Sequence, residues 1–191
     1  MTRLSLKESL FLGFCAVFIL LFRVVLRLHL HIPGHSMLFT VFFLFLARGC
    51  VDYRGASTCT GLLAGIGAFA LGLGKIGPIL IPAFVLPGVV IDLGALLLPK
   101  LFSSFFLCVL VAASASATKF IITLSQDLLL GMDKKVLVQH AAFEAGTAMV
   151  FGILAGLCVV PVIRRLKAYG LVGGNMPKAS AGMYNREGEK K

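Results

Sequence analysis

The chain is a series of long apolar runs separated by short polar segments. A bilayer core is about 30 Å thick, and an α-helix needs about 20 mostly apolar residues to cross it. By that measure the pattern predicts six membrane-spanning helices, at 8–32, 36–49, 56–74, 78–98, 101–127 and 136–165. The second run is short, so it either crosses a thinned bilayer or enters the membrane as a re-entrant segment.

The composition favours the same class of protein. Hydrophobic residues make up 59% of the chain and charged residues only 14%, whereas soluble domains average about 45–50% apolar and about 25% charged. A soluble domain of 191 residues could not bury that much apolar surface. We therefore expect an all-α, polytopic membrane protein, with a six-transmembrane-helix bundle over 1–167. Residues 168–191 are polar and glycine-rich, and we expect a disordered cytoplasmic tail there.

The basic residues predict the orientation of the bundle, because cytoplasmic ends of membrane helices carry an excess of Lys and Arg. If both termini are cytoplasmic, twelve of the 18 Lys and Arg residues lie on that side, five lie on the other, and Lys119 lies inside a span. The net charge of +10 then reflects topology rather than nucleic-acid binding. The basic N-terminus has no signal-peptide cleavage motif before Arg23, so we expect it to be retained as the first helix.

Several ionisable side chains fall inside the predicted spans, where charges are costly and by default mark function. Arg23, Lys119 and Glu144 lie at similar depth in helices 1, 5 and 6, each about 12–14 Å below the outer surface. Arg27 and His140 lie one turn further out than Arg23 and Glu144, and Thr123 and Gln126 add hydrogen-bonding groups on helix 5. This pattern predicts a solute pocket that opens to the outside. A basic residue that only neutralises Glu144 is the alternative.

The basic groups at this level outnumber Glu144, which favours a solute with an anionic part. Asp92 is different, because it follows Pro82 and Pro87 near the inner end of helix 4. The prolines predict a deformable helix with a kink at Pro87. Asp92 is expected to pair with a basic group such as Arg48 or Arg54, or with a partner subunit.

Small residues recur at every fourth position on several predicted helices, a spacing that lets helices in lipid approach closely. These stripes predict packing within one bundle or docking onto another membrane subunit. The stripe of helix 1 (Ser5, Ser9 and Gly13) is the better candidate for docking, because it lies near the cytoplasmic end.

Metal and catalytic signatures are weak. His29, His31 and His35 lie in one loop and could bind a transition metal, although an interfacial loop with polar tips is the simpler interpretation. The sequence has no hydrolase, metalloprotease or nucleotide-binding motif. We therefore expect neither an enzyme nor a cofactor.

The order of these features resembles a known family. The segments GLLAGIGAFALGLG, FVLPGVVIDLGALL and HAAFEAGTAMVFGILAGLCVVPVIRRL resemble helices 3, 4 and 6 of the substrate-binding S components of energy-coupling factor (ECF) transporters. The resemblance covers about residues 8–167. It implies a six-helix bundle in the prokaryotic cytoplasmic membrane that captures a micronutrient, such as a vitamin, a precursor or a metal, from outside.

The resemblance also implies partners and a site. Such proteins work with a transmembrane T component and two cytoplasmic ATP-binding subunits. Lys119, Gln126, His140 and Glu144 fall where the family has its pocket, and the loop with His31 and His35 would be its lid. Ser5, Ser9 and Gly13 would replace the family's AxxxA docking surface. Trp is absent, so any ring stacking would fall to Phe, and Thr2 does not match the ligands of the metal-binding members.

Three functions therefore stay open at the level of sequence. The first is a transport subunit that binds a small solute. The second is a membrane enzyme, or a sulfur- or metal-handling membrane protein, that uses His29, His31, His35 or cysteine residues. The third is a structural or assembly subunit in which Glu144 and Lys119 form an internal bridge.

Overall fold

The computed structural model describes residues 5–29, 35–51, 53–73, 77–98 and 101–168, and these are helical apart from the connections. Two short 3₁₀ turns, Gly77–Ile79 and Leu101–Ser103, precede the fourth and fifth helices. The six α-helices are α1 (Leu6–His29), α2 (His35–Cys50), α3 (Ala56–Ala70), α4 (Leu80–Leu97), α5 (Phe105–Leu129) and α6 (Lys134–Ala168). The all-α prediction is confirmed for this part of the chain.

Four of the helices are long and apolar enough to cross a membrane, and their apolar spans are Leu6–Val25, Leu80–Leu97, Phe105–Leu129 and Lys135–Leu166. The other two, α2 and α3, have 16 and 15 residues, fewer than the roughly 20 that a bilayer core requires. Four of the described helices therefore have the length and apolarity that a membrane crossing requires. That all six helices cross, and that both termini face the same side, stays a prediction.

The helices form a closed ring. Each helix packs against the next one in the chain, and two further contacts, α1 with α3 and α2 with α6, complete the order α1–α3–α4–α5–α6–α2. Because α2 also contacts α4 and α5, it lies toward the inside of the ring. Its side chains Val41, Leu44 and Phe45 are fully buried in the core. The helices that pack closely on α1 are α2 and α3, so α1 lies on the perimeter.

Glycines bring α3 and α4 into backbone contact. A Cβ atom at Gly61 would lie 2.5 Å from the carbonyl oxygen of Phe84, and one at Gly88 would lie 2.7 Å from that of Ser57. Pro87 is buried beside Gly88, and α4 continues as a helix through it to Leu97. Pro82 is the third residue of α4, in the first turn, where a missing N–H costs no intrahelical hydrogen bond.

The small-residue stripes divide into two kinds. Gly152 of α6 packs on Ser116 of α5, and a Cβ atom at Gly156 would lie 3.0 Å from that of Ala112, so this stripe packs within the bundle, as does that of α3. On α1, by contrast, Ser5 and Ser9 are exposed, and no atom lies within 4 Å of the Cβ position at Gly13. The α1 stripe therefore faces outward.

Candidate functional site: a polar ladder between two helices

The candidate site lies along the interface of α5 and α6. Lys119, Thr123 and Asp127 are spaced four residues apart on α5, and His140 and Glu144 are spaced four apart on α6. Residues at this spacing lie one above another on a helix face. We refer to these five residues as the α5–α6 ladder.

The inner rung of the ladder is an ion pair. The Lys119 ammonium lies 3.3 Å from Glu144 Oε2, and the Thr123 hydroxyl donates a 3.1 Å hydrogen bond to the same oxygen. The side chains of Lys119 and Glu144 are 18% and 26% exposed. The pair is thus largely buried but keeps some exposed surface.

The outer rung joins Asp127 and His140. The Nδ1 atom of His140 lies 2.8 Å from Asp127 Oδ2. The Asp127 side chain is 7% exposed and that of His140 is 47% exposed, so the imidazole covers a buried carboxylate. His140 and Gln126 were predicted from the sequence, but Asp127 was not. The sequence signal for Asp127 is its position, four residues after Thr123 and eight residues after Lys119.

The turn between the two helices holds the rungs in register. Gly131 ends α5 with a positive φ of 72°, a conformation that glycine adopts at little cost. The amides of Gly131 and Met132 donate to the carbonyls of Leu128 and Asp127, which is the hydrogen-bond pattern of a Schellman cap. Because the connection is this short, α5 and α6 are antiparallel.

The inner rung lies deep in the predicted membrane. Lys119 is ten residues before the last residue of α5, and Glu144 is ten residues after the first of α6. At 1.5 Å per residue, both lie about 15 Å from the helix ends that the turn joins. That distance is about half the thickness of a bilayer core, so the ion pair lies well inside the apolar spans of both helices.

The structure places the other predicted site residues as follows. The guanidinium of Arg23 lies 4.7 Å from the centre of the Phe84 ring on α4, whereas the predicted pocket set it level with Glu144 among helices 1, 5 and 6. Gln126 is half-buried next to Asp127. His31 lies outside the described residues, as does the side chain of His35, so the predicted lid stays a prediction.

Asp92 occupies a second polar cluster at the opposite end of the bundle. Its carboxylate accepts hydrogen bonds from the Ser57 and Thr58 amides at 3.3 and 2.8 Å and from the Thr58 hydroxyl at 2.7 Å. Arg48 Nε lies 3.4 Å from Asp92 Oδ1. Of the alternatives predicted for Asp92, pairing with Arg48 is therefore observed. Asp92 is 5% exposed, and a role for it in subunit docking stays a prediction.

Metal ligands do not cluster in the described part of the chain: no group of three or more His, Cys, Asp and Glu residues there could hold an ion. The loop with His29 and His31 is not covered by that finding, because side chains 26–35 lie outside the description. The metal-handling alternative is therefore still untested.

Comparison of the chain with protein-family models, with curated proteins and with solved structures finds no match. The resemblance to transporter S components thus stays a prediction from the sequence. The function has to be argued from the ladder and its position in the bundle.

Proposed function

We propose that the protein is a membrane-embedded subunit that binds a small polar solute at the α5–α6 ladder. The observation that carries this proposal is a partly exposed ion pair, Lys119–Glu144, well inside the apolar spans of α5 and α6. Charges are retained in a bilayer at a cost of several kcal/mol, and they usually serve binding or transport. His140 is half-exposed above the pair and marks the side from which a solute would approach.

A solute would bind by replacing the partners that the ladder side chains have in the free protein. The Lys119 ammonium donates to an acceptor on the solute, Glu144 accepts from a donor, and the Thr123 hydroxyl serves either. Leaving out His140, the ladder has one cationic side chain and two carboxylates. This balance favours a zwitterionic solute or one with a protonated amine. The anionic solute favoured by the sequence relied on Arg23, whose described ring contact is with Phe84 on α4.

The finer proposal is an S component of an ECF-type importer in a prokaryotic cytoplasmic membrane. It would capture a micronutrient outside and pass it inward with a T component and two ATP-binding subunits. Two features support it: a bundle of six helices, and the outward-facing small residues Ser9 and Gly13 on α1, which leave room for a second membrane protein.

A structural subunit is the second candidate, and the same ion pair favours it. Lys119 and Glu144 satisfy each other in the absence of a solute, as an internal bridge would. The two candidates differ in what the pair does in the isolated protein. A bridge stabilises the bundle and holds nothing, whereas a binding site also retains a solute.

Native mass spectrometry of the gently purified protein, with analysis of co-eluting small molecules, separates the two. We expect a stoichiometric organic molecule in the wild type. The double variant Lys119→Met/Glu144→Met should lose that molecule but stay folded, because it leaves no unpaired charge. The matched control is Lys135→Met, a change at an exposed residue just outside the ladder. A wild type that is empty at every stage of purification, with a double variant that still assembles with its membrane partners, would favour the structural subunit.

A further inference from the structure

The end of the bundle away from the α5–α6 turn carries a cationic rim, which neither the ladder nor the proposed function uses. The ends of α2, α4 and α6 and the starts of α3 and α5 meet there: Asp92 contacts Arg48 and Thr58, and Arg164 contacts Phe105. Among the described side chains at this end, four basic ones are exposed: Lys7, Arg54, Arg164 and Arg165.

The described acidic residues at this end already have partners of their own. Of those that the structure describes at this end, Asp92 is buried against Arg48, and Glu8 accepts a 2.8 Å hydrogen bond from the Ser5 amide at the start of α1. The described charges exposed at the opposite end are mixed, with Asp133 beside Lys135. Among the described residues, this end therefore presents basic side chains, and the opposite end presents both signs of charge.

Aromatic side chains accompany the rim where α6 ends beside the start of α5. The Arg164 guanidinium lies 5.1 Å from the centre of the Phe105 ring, within cation–π range. Phe105 and Phe106 are 44% and 75% exposed, and Arg165 is exposed next to Arg164. One arginine over an exposed aromatic ring, followed by a second exposed arginine at the end of an apolar span, matches the headgroup level of a bilayer.

We propose that Arg164 and Arg165, with Phe105 and Phe106, form a binding site for the phosphate of an anionic phospholipid. The phosphate oxygens accept hydrogen bonds from guanidinium N–H groups, and the acyl chains lie along the exposed apolar side chains Phe106 and Leu110 of α5. This inference is independent of the proposed solute site. It requires only that α5 and α6 span a bilayer.

The test is lipid retention from nanodiscs that contain equal amounts of phosphatidylglycerol and phosphatidylcholine, measured by native mass spectrometry. The wild type should retain phosphatidylglycerol in preference. Each arginine near a membrane surface contributes about a fivefold preference for anionic lipid, so Arg164→Gln/Arg165→Gln should reduce the enrichment about 25-fold. The control variant Lys135→Gln, at the opposite end, should leave it unchanged.

Two results would overturn the proposal: equal retention of both lipids by the wild type, or unchanged enrichment in the double variant. If the double variant fails to fold, the single variant Arg165→Gln replaces it, because Arg165 is exposed and its loss leaves the Arg164–Phe105 contact in place. The single variant should lose about fivefold in enrichment. Loss of bound solute without loss of lipid enrichment would affect only the proposed function.

Discussion

The carboxylate of Asp92 serves as the missing cap of α3. The residue before this helix is Gly55, which has no side chain to accept a hydrogen bond, so the first amides of α3 need an acceptor from elsewhere. Asp92 supplies it from α4, at 3.3 and 2.8 Å from the amides of Ser57 and Thr58. Because Arg48 of α2 contacts the same carboxylate, Asp92 connects α2, α3 and α4.

Asp92→Ala should therefore be strongly destabilising. It removes the cap of α3, and it leaves the guanidinium of Arg48, which is 13% exposed, without its carboxylate. Breaking a buried ion pair in this way costs about 3–5 kcal/mol. The measurement is the free energy of unfolding in detergent or bicelles. In the double variant Arg48→Met/Asp92→Ala, part of the loss should return. A single variant as stable as the wild type would contradict the role assigned to Asp92.

At the ladder, the sequence pattern placed candidate residues on α5 and α6 but did not include Asp127. Lys119, Glu144 and His140 were found because charged and imidazole groups stand out in an apolar run. Asp127 was missed because it lies close to the end of α5, where a carboxylate is ordinary. The partner of its carboxylate is the imidazole of His140, which lies 2.8 Å away on a different helix. A single run of sequence does not show that contact.

Glycine allows α3 and α4 to make backbone contact where they cross. At the α3–α4 crossing, the Cβ position of Gly61 is 2.5 Å from the carbonyl oxygen of Phe84 and 3.1 Å from its carbonyl carbon. Both atoms belong to the backbone, so no side-chain rotation can make room. The crossing thus depends on the absence of a side chain at this residue.

We expect Gly61→Ala to separate α3 from α4 and to lower the free energy of unfolding by about 1–3 kcal/mol, the usual cost of overpacking. Gly13→Ala is the matched control on α1, where the Cβ position has no atom within 4 Å. That change should be neutral, or stabilising by up to about 1 kcal/mol, because alanine favours a helix more than glycine does. Equal losses of stability in the two variants would refute the packing explanation.

The limits of the helices were easier to predict than their contacts. The apolar runs at 78–98 and 136–165 correspond to α4 (Leu80–Leu97) and α6 (Lys134–Ala168). The run at 101–127 begins earlier than α5, since Leu101–Ser103 forms a 3₁₀ turn before it. An apolar run shows which residues are buried in the core or in lipid, whereas the limits of a helix are set by its hydrogen bonds. The limits of the run and of the helix therefore differ most at the helix ends.

For the whole molecule, the predicted topology can be tested with two single cysteines. Arg54 and Lys135 are exposed at opposite ends of the bundle. In a background without the five native cysteines, Lys135→Cys should react in intact cells with a membrane-impermeant maleimide. Arg54→Cys should react only after permeabilisation, because the Lys and Arg bias predicts that its end is cytoplasmic. The reverse labelling pattern would show that the bundle has the opposite orientation in the membrane.

The order of helices around the ring is the part that the sequence could not supply. Helices 1, 5 and 6 each carry charged residues at similar predicted depth, which favoured a shared pocket. In the structure α5 and α6 are neighbours, but α1 packs mainly on α2 and α3. The depth of a residue along its helix follows from its residue number. Which helices are neighbours depends instead on how all six helix surfaces fit together. The contact of Arg23 with Phe84 on α4 follows from that arrangement and not from depth.

The contact between α2 and α6 that closes the ring also sets an order of events during synthesis. The partners of α1 are the next two helices in the chain, so the first three can assemble soon after they enter the membrane. The surface of α2 that α6 covers includes Gly49, on which Ile163 packs closely, and it lacks this cover until α6 itself has been synthesised. A nascent chain arrested before α6 therefore leaves that surface uncovered.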